Sequence, residues 1–133
     1  MYSMQSEYLG SLRTQSKHLK SGEVVMSDAP VDNNGKGEAF SPTDLVSSAL
    51  CSCMMTIMGI LAAREDIDLR GLKANITKVM DSNPRKISEI RIDFSGDINA
   101  TDIQKGKLQK AALNCPVALS LADSVSQKIS FNF

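Results

Sequence analysis

The sequence lacks an excess of charge of either sign. Fifteen Lys and Arg residues balance fifteen Asp and Glu residues, so the formal net charge at pH 7 is zero. No global positive field therefore exists to hold nucleic acid or an anionic membrane surface. We expect a partner that is small and uncharged, or another protein.

A secretory signal is also absent from the first residues, because Met1 is followed by polar sequence as far as Lys20. We therefore expect a cytoplasmic protein whose cysteines are reduced at rest. Cysteine is sparse and odd in number, with thiols only at positions 51, 53 and 115. This differs from the dense disulfide frameworks of small secreted domains, and it leaves catalysis, metal binding and core packing as alternatives.

The longest uncharged stretch, residues 45–63 (LVSSALCSCMMTIMGILAA), holds two of the three cysteines. Its length would suffice to span a bilayer. Five of its residues are Ser, Thr or Gly, however, and neither a Lys/Arg cluster nor an aromatic belt flanks it. The composition favours a buried helix of a soluble protein over a membrane span.

The start of this helix is well marked. Ser41 is a candidate N-cap, Pro42 suits the first helical position, and Asp44 stands where a capping-box acid belongs. We expect the helix to end near Arg64 or Glu65. Apolar residues surround its whole axis, which predicts burial on nearly every side.

The remaining patterns predict an α+β protein formed by one domain, residues 1–133. In chain order we expect strands within 7–15 and 23–27 around a Ser21-Gly22 turn, then the long helix, then a β-hairpin that pairs 72–80 with 90–94. A further helix is capped by Thr101 and turns four apolar residues inward: Ile103, Leu108, Ala111 and Ala112. After a break at 114–116 we expect a second helical piece over 117–124 and a closing strand at 129–133.

The cysteines differ in their predicted surroundings. On a helix, Cys51 and Cys53 are about 200° apart, so they point to nearly opposite sides and cannot share a metal or a disulfide. Core packing stays an alternative for both. Cys115 precedes Pro116 and would lie near unpaired N–H groups and a positive helix end, which favours the thiolate. A zinc site from the three cysteines and His18, the single histidine, lacks paired ligand spacing, and we expect no metal or other cofactor.

Several segments together carry a resemblance. FSPTDL (40–45), ALCSCM (49–54), EIRIDF (89–94) and CPV (115–117) resemble, in this order, the OsmC/Ohr family of osmotically inducible and organic hydroperoxide resistance proteins. The resemblance implies an OsmC-like fold with N-terminal antiparallel strands. It also implies an intertwined homodimer, with the long helices packed centrally and two active sites at the subunit interface.

The resemblance also assigns catalytic roles. Cys53 matches the peroxidatic cysteine, Cys115 the resolving cysteine, and Arg13 the arginine that steadies the thiolate. The family has a glutamate directly after the helix-starting proline, and this chain has Thr43 there, with Asp44 as the next acid.

Four more residues are candidates around the thiols. Phe40, Met54 and Ile57 would line a pocket that favours organic hydroperoxides. His18 is expected at the surface, with a site role near Arg13 as the alternative.

The implied activity is reduction of an organic hydroperoxide. Attack would leave a sulfenic acid on Cys53, and condensation with Cys115 would give a disulfide. A dithiol reductant of the lipoyl or thioredoxin type would restore both thiols. The alternative is a non-enzymatic OsmC-like dimer that binds an apolar small molecule, which Thr43 in place of the expected acid motivates. Cys51 has no family counterpart and is expected to pack.

Overall fold

A computed structural model describes all residues, 1–133, and the chain forms two compact units, residues 1–46 and residues 47–133. The predicted α+β class is confirmed, whereas the single domain stays a prediction. The elements are β1 (Met4–Gly10), β2 (Arg13–His18), β3 (Val24–Asp28), α1 (Pro42–Arg64), β4 (Lys73–Asp81), β5 (Lys86–Ser95), α2 (Asp102–Leu113), α3 (Pro116–Ser120) and β6 (Ser126–Asn132).

The first unit contains an antiparallel sheet in the order β1-β2-β3. A strand that runs unbroken from residue 7 to residue 15 is wrong, because the chain turns at Ser11 and Leu12, which both adopt positive φ after Gly10. The turn at Ser21-Gly22 is confirmed, and Gly22 supplies the positive φ of 79° that it needs. Within this unit β1 is exposed along nearly its whole length.

The start of α1 follows the predicted capping box. The Asp44 backbone N–H donates to Ser41 Oγ at 3.1 Å, and the Ser41 backbone N–H donates to Asp44 Oδ2 at 3.0 Å. Two N–H groups that a helix start leaves without intrahelical partners are thereby satisfied. The helix ends at Arg64, as expected.

The second unit packs α1 against a mixed sheet in the order β4-β5-β6. The β4–β5 hairpin is antiparallel as predicted, and β6 pairs with β5 in parallel. Ile90, Ile92 and Phe94 of the central strand are fully buried, and Phe94 stacks on Phe131 with ring centroids 5.4 Å apart. The inward face of α1 contributes residues at four-residue spacing: Leu50, Met54, Met58 and Ala62.

Within one chain α1 is buried on this face only. Ala49, Ile60 and Ala63 are exposed on the opposite face, and Val46 is exposed one turn before Leu50, so burial on nearly every side stays a prediction that needs a partner. By length and apolar composition α1 could also cross a membrane, but core helices of soluble proteins have the same properties. The inward residues of α1 belong to the hydrophobic core, so α1 is a core helix of the second unit.

The C-terminal helices correct two expectations. Thr101 caps α2 in a capping box with Gln104, but Ile103 is 76% exposed rather than inward, since it lies about 140° around the helix from the buried Leu108. The second helical piece ends at Ser120 instead of residue 124, because Leu121 adopts an extended conformation.

Candidate functional site: a thiol pair and a guanidinium cluster

Two thiols meet in the second unit. Cys53 lies eleven residues after the start of α1 and is half-buried, and Cys115 lies directly before α3 and is fully buried. Cys53 packs against the core cluster that contains Cys115, and it acts on the pKa of the Cys115 thiol. The two residues, about 60 positions apart in the sequence, are therefore neighbours in the folded chain.

Cys115 is the N-cap of α3, because Pro116 starts the helix with a ring that needs no N–H partner. Its Sγ accepts a hydrogen bond from the Ala118 N–H at 3.4 Å. Burial nevertheless raises the pKa of Cys115 above its ordinary value, although the Ala118 and Val117 N–H groups oppose this rise. The prediction that Cys115 favours the thiolate is therefore wrong, since removal of the thiol from water outweighs the N–H groups of a short helix.

The interaction with Cys53 also raises the pKa of Cys115. The physical reason is that a Cys115 thiolate would form beside a second ionisable thiol, and two negative charges so close together repel each other.

Cys51 does not join this pair. It is 5% exposed within the hydrophobic core, and burial raises the pKa of its thiol. Since about 200° of helix rotation separates it from Cys53, its packing role agrees with the expectation.

The first unit holds a second cluster, around Arg13. This residue opens β2 and lies directly across from Asp28, the last residue of β3. Its Nε donates to Asp28 Oδ1 at 2.7 Å, and its Nη2 donates to Asp28 Oδ2 at 2.8 Å and to Glu38 Oε2 at 3.1 Å. The hydrogen bonds from Arg13 hold the pKa of Asp28 below its ordinary value, and Asp28 in turn raises the pKa of Arg13.

Asp28 and Glu38 were missed from the sequence. The signal for Asp28 was its position across the Ser21-Gly22 hairpin from Arg13, since opposite charges directly across two antiparallel strands attract. Glu38 carried no comparable signal, because a loop residue reaches Arg13 only once the chain has folded.

The other predicted supporting residues are placed as follows. Asp44 serves in the capping box, and Thr43 Oγ1 lies 3.2 Å from Ser41 Oγ. His18 is exposed and its Nδ1 is hydrogen-bonded to Ser21 Oγ at 2.6 Å. Arg13 and His18 occupy opposite ends of β2, roughly 16 Å apart at the rise of a strand, so the structure does not bring them together.

The proposed pocket residues are distributed unevenly. Ile57 is half-buried one turn after Cys53 on α1, whereas Met54 is fully buried in the hydrophobic core. Phe40 is 55% exposed in the first unit. That Phe40, Met54 and Ile57 line a substrate pocket stays a prediction. No three His, Cys, Asp or Glu side chains come close enough together to hold a metal ion.

Comparisons with known proteins agree on one family. The family model for OsmC-like proteins matches residues 35–130. The chain is 44% identical to a crystal structure from Psychrobacter arcticus 273-4, named for osmotic stress induction and a detoxification response; the match covers 99% of this chain and 96% of that one, with a TM-score of 0.95.

More distant structures share the fold. An OsmC-like protein from Mycoplasma pneumoniae is 14% identical, covers 99% of this chain and 96% of its own, and has a TM-score of 0.80. An organic hydroperoxide resistance protein from Legionella pneumophila is 16% identical, with coverage of 100% and 98% and a TM-score of 0.72. A comparison with curated proteins found no match.

Proposed function

The chain belongs to the OsmC-like family, and from this premise we propose that it is a thiol-dependent peroxidase that reduces organic hydroperoxides. The observation that carries the proposal is that the half-buried Cys53 packs against the core cluster containing the buried Cys115 and acts on the pKa of its thiol. Proteins of the same fold include organic hydroperoxide resistance proteins, which supports the same substrate class.

The proposed reaction starts at Cys53. Its thiolate attacks one peroxide oxygen, the O–O bond breaks, and the alkoxide takes up a proton and leaves as an alcohol. Cys53 is thereby oxidised to a sulfenic acid. Cys115 then forms the S–S bond with Cys53 and releases water, and a dithiol of the lipoyl or thioredoxin type reduces this disulfide by exchange. A reducing compartment such as the cytoplasm would supply that dithiol.

Further side chains complete the proposal. The role of Arg13 is to steady the Cys53 thiolate with its guanidinium, as the family resemblance implies. Phe40, Met54 and Ile57 are proposed to favour an apolar peroxide substituent.

We also propose that the active form is a homodimer. A three-stranded sheet needs a covered hydrophobic face to be stable, yet Met4, Tyr8 and Val25 lie exposed on one face of the first sheet. The helix α1 likewise exposes Val46 near its start and Ile60 on its outer face. A second copy of the chain would cover such surfaces.

The test is peroxide consumption with cumene hydroperoxide and a dithiol reductant. We expect the wild type and Cys51→Ala to turn over, Cys53→Ser to lose activity, and the oxidised protein to contain a Cys53–Cys115 disulfide under non-reducing mass spectrometry. Cys51→Ala is the matched control because its thiol lies on the same helix but faces the core.

The alternative, a non-enzymatic dimer that binds an apolar small molecule, is motivated by Thr43 at the position of the expected acid. In the same experiment this alternative predicts that the wild type does not consume cumene hydroperoxide. A protein that keeps all three thiols in excess cumene hydroperoxide and co-purifies with a hydrophobic ligand would favour binding over catalysis.

A further inference from the structure

Asp28 is a buried carboxylate whose two oxygens both accept hydrogen bonds. It is 1% exposed, and it accepts hydrogen bonds from Arg13 Nε, from Arg13 Nη2 and, at 3.1 Å, from the Glu38 backbone N–H. A buried charge is costly unless it is paired and hydrogen-bonded. The geometry of this cluster is therefore fixed by strong, directional contacts rather than by loose surface attraction.

These contacts use one edge of the Arg13 guanidinium. Nε and Nη2 are taken up by Asp28 and Glu38, while no hydrogen bond within the chain uses Nη1. Every buried side-chain nitrogen of the protein has a hydrogen-bond partner. Because Nη1 has none, it is not buried but accessible to solvent, in agreement with the 29% exposure of the Arg13 side chain. Because the guanidinium is planar and its fork is rigid, fixing one edge also fixes the direction of the other.

Asp28 also ties down the chain that leads to α1. Its backbone N–H donates to the Phe40 carbonyl at 3.1 Å, and its carboxylate accepts from the Glu38 N–H. The same residue thus fixes Arg13 and the segment that carries Phe40, two residues before the helix begins.

We propose that Asp28 is a positioning residue, which holds the Nε and Nη2 edge of Arg13 so that the Nη1 edge is the one presented to an anion. Asp28 thereby takes the place of the acid expected at Thr43, with Glu38 as a second, more exposed partner. This inference rests on the proposed function of Arg13 in steadying the Cys53 thiolate.

The test is the pH dependence of Cys53 alkylation by iodoacetamide, with each cysteine followed by peptide mass spectrometry. Alkylation needs the thiolate, so its midpoint reports the apparent pKa of Cys53. We expect Asp28→Asn to raise this midpoint and to slow alkylation at neutral pH about tenfold, as a rise of one pKa unit would. Arg13→Ala should act in the same direction, and the double variant should add nothing further.

If Asp28 acted on Cys53 only through its negative charge, Asp28→Asn would lower the alkylation midpoint instead of raising it. The reason is that removal of a nearby negative charge by itself lowers the pKa of a thiol. A midpoint that is unchanged or lower in Asp28→Asn, or one that still rises when Arg13 is already Ala, overturns the proposal. Asp32→Asn is the matched control, since it removes the same charge from an exposed position of the same unit and should leave the midpoint unchanged.

A second variant decides the question if Asp28→Asn does not fold. Arg13→Lys keeps the charge but cannot form the fork, so we expect its midpoint to rise toward that of Arg13→Ala. A wild-type midpoint in Arg13→Lys overturns the proposal. Peroxide consumption by the wild type is measured separately, so a protein without turnover refutes the proposed function while the alkylation profile still decides the role of Asp28.

Discussion

Replacement of Cys115 by Ser tests the structural and the chemical role of this thiol together. Its Sγ caps α3 by accepting the Ala118 N–H at 3.4 Å, and the residue is fully buried. Serine is a preferred N-cap residue, whereas Ala offers no acceptor. We therefore expect Cys115→Ser to be more stable than Cys115→Ala by about 1 kcal/mol.

Both variants should remain folded, because a change of about 1 to 2 kcal/mol is small against the 5 to 15 kcal/mol that is typical of a domain. Urea denaturation measures the difference between them. Equal stabilities, or a more stable Ala variant, would refute the capping role of Cys115.

The chemical effect of the two variants should be the same. Without a thiol at position 115, the Cys53 sulfenic acid has no internal partner, so it persists and can be trapped by dimedone. Dithiol-dependent turnover should fall sharply in both. Undiminished turnover of Cys115→Ser would show that Cys115 is not the resolving cysteine.

Two predictions concern buried residues. Phe94→Ala should destabilise the fold by about 3 to 5 kcal/mol in urea denaturation, because Phe94 is fully buried and stacks on Phe131. As a control, Ile103→Ala should stay within about 0.5 kcal/mol of the wild type, because Ile103 is exposed. The pKa values of Cys51 and Cys115 are raised in the folded state, so the stability they contribute is fully present below the unfolded pKa of about 8.5 and is lost as the pH rises through the folded values. Cys51→Ala should lose less stability than the wild type over this alkaline range, and an identical loss would contradict the prediction.

The elements that could be predicted are those fixed by neighbours in sequence. The capping boxes at Ser41 and Thr101 satisfy backbone groups three residues away, so the local residue types were sufficient to place both helix starts. The β4–β5 hairpin followed in the same way from alternation on both sides of a turn. Ile103 was misplaced because its apolar character says nothing about which face of α2 meets the core.

The environment of each charged or reactive group needed the tertiary structure. Helical spacing separated Cys51 from Cys53, and the family resemblance pointed to Cys115. Local rules, however, predicted a thiolate at Cys115, and complete burial reversed this because desolvation depends on all the surrounding chain.

The sequence by itself determined the α+β elements, the helix caps, the family and the candidate thiols, because these depend on residue type and short spacing. The tertiary structure alone decided that Cys53 and Cys115 are neighbours and that Asp28 and Glu38 hold Arg13. Such contacts join residues far apart in the chain. Their strength depends on distance and burial, which only the packed chain defines.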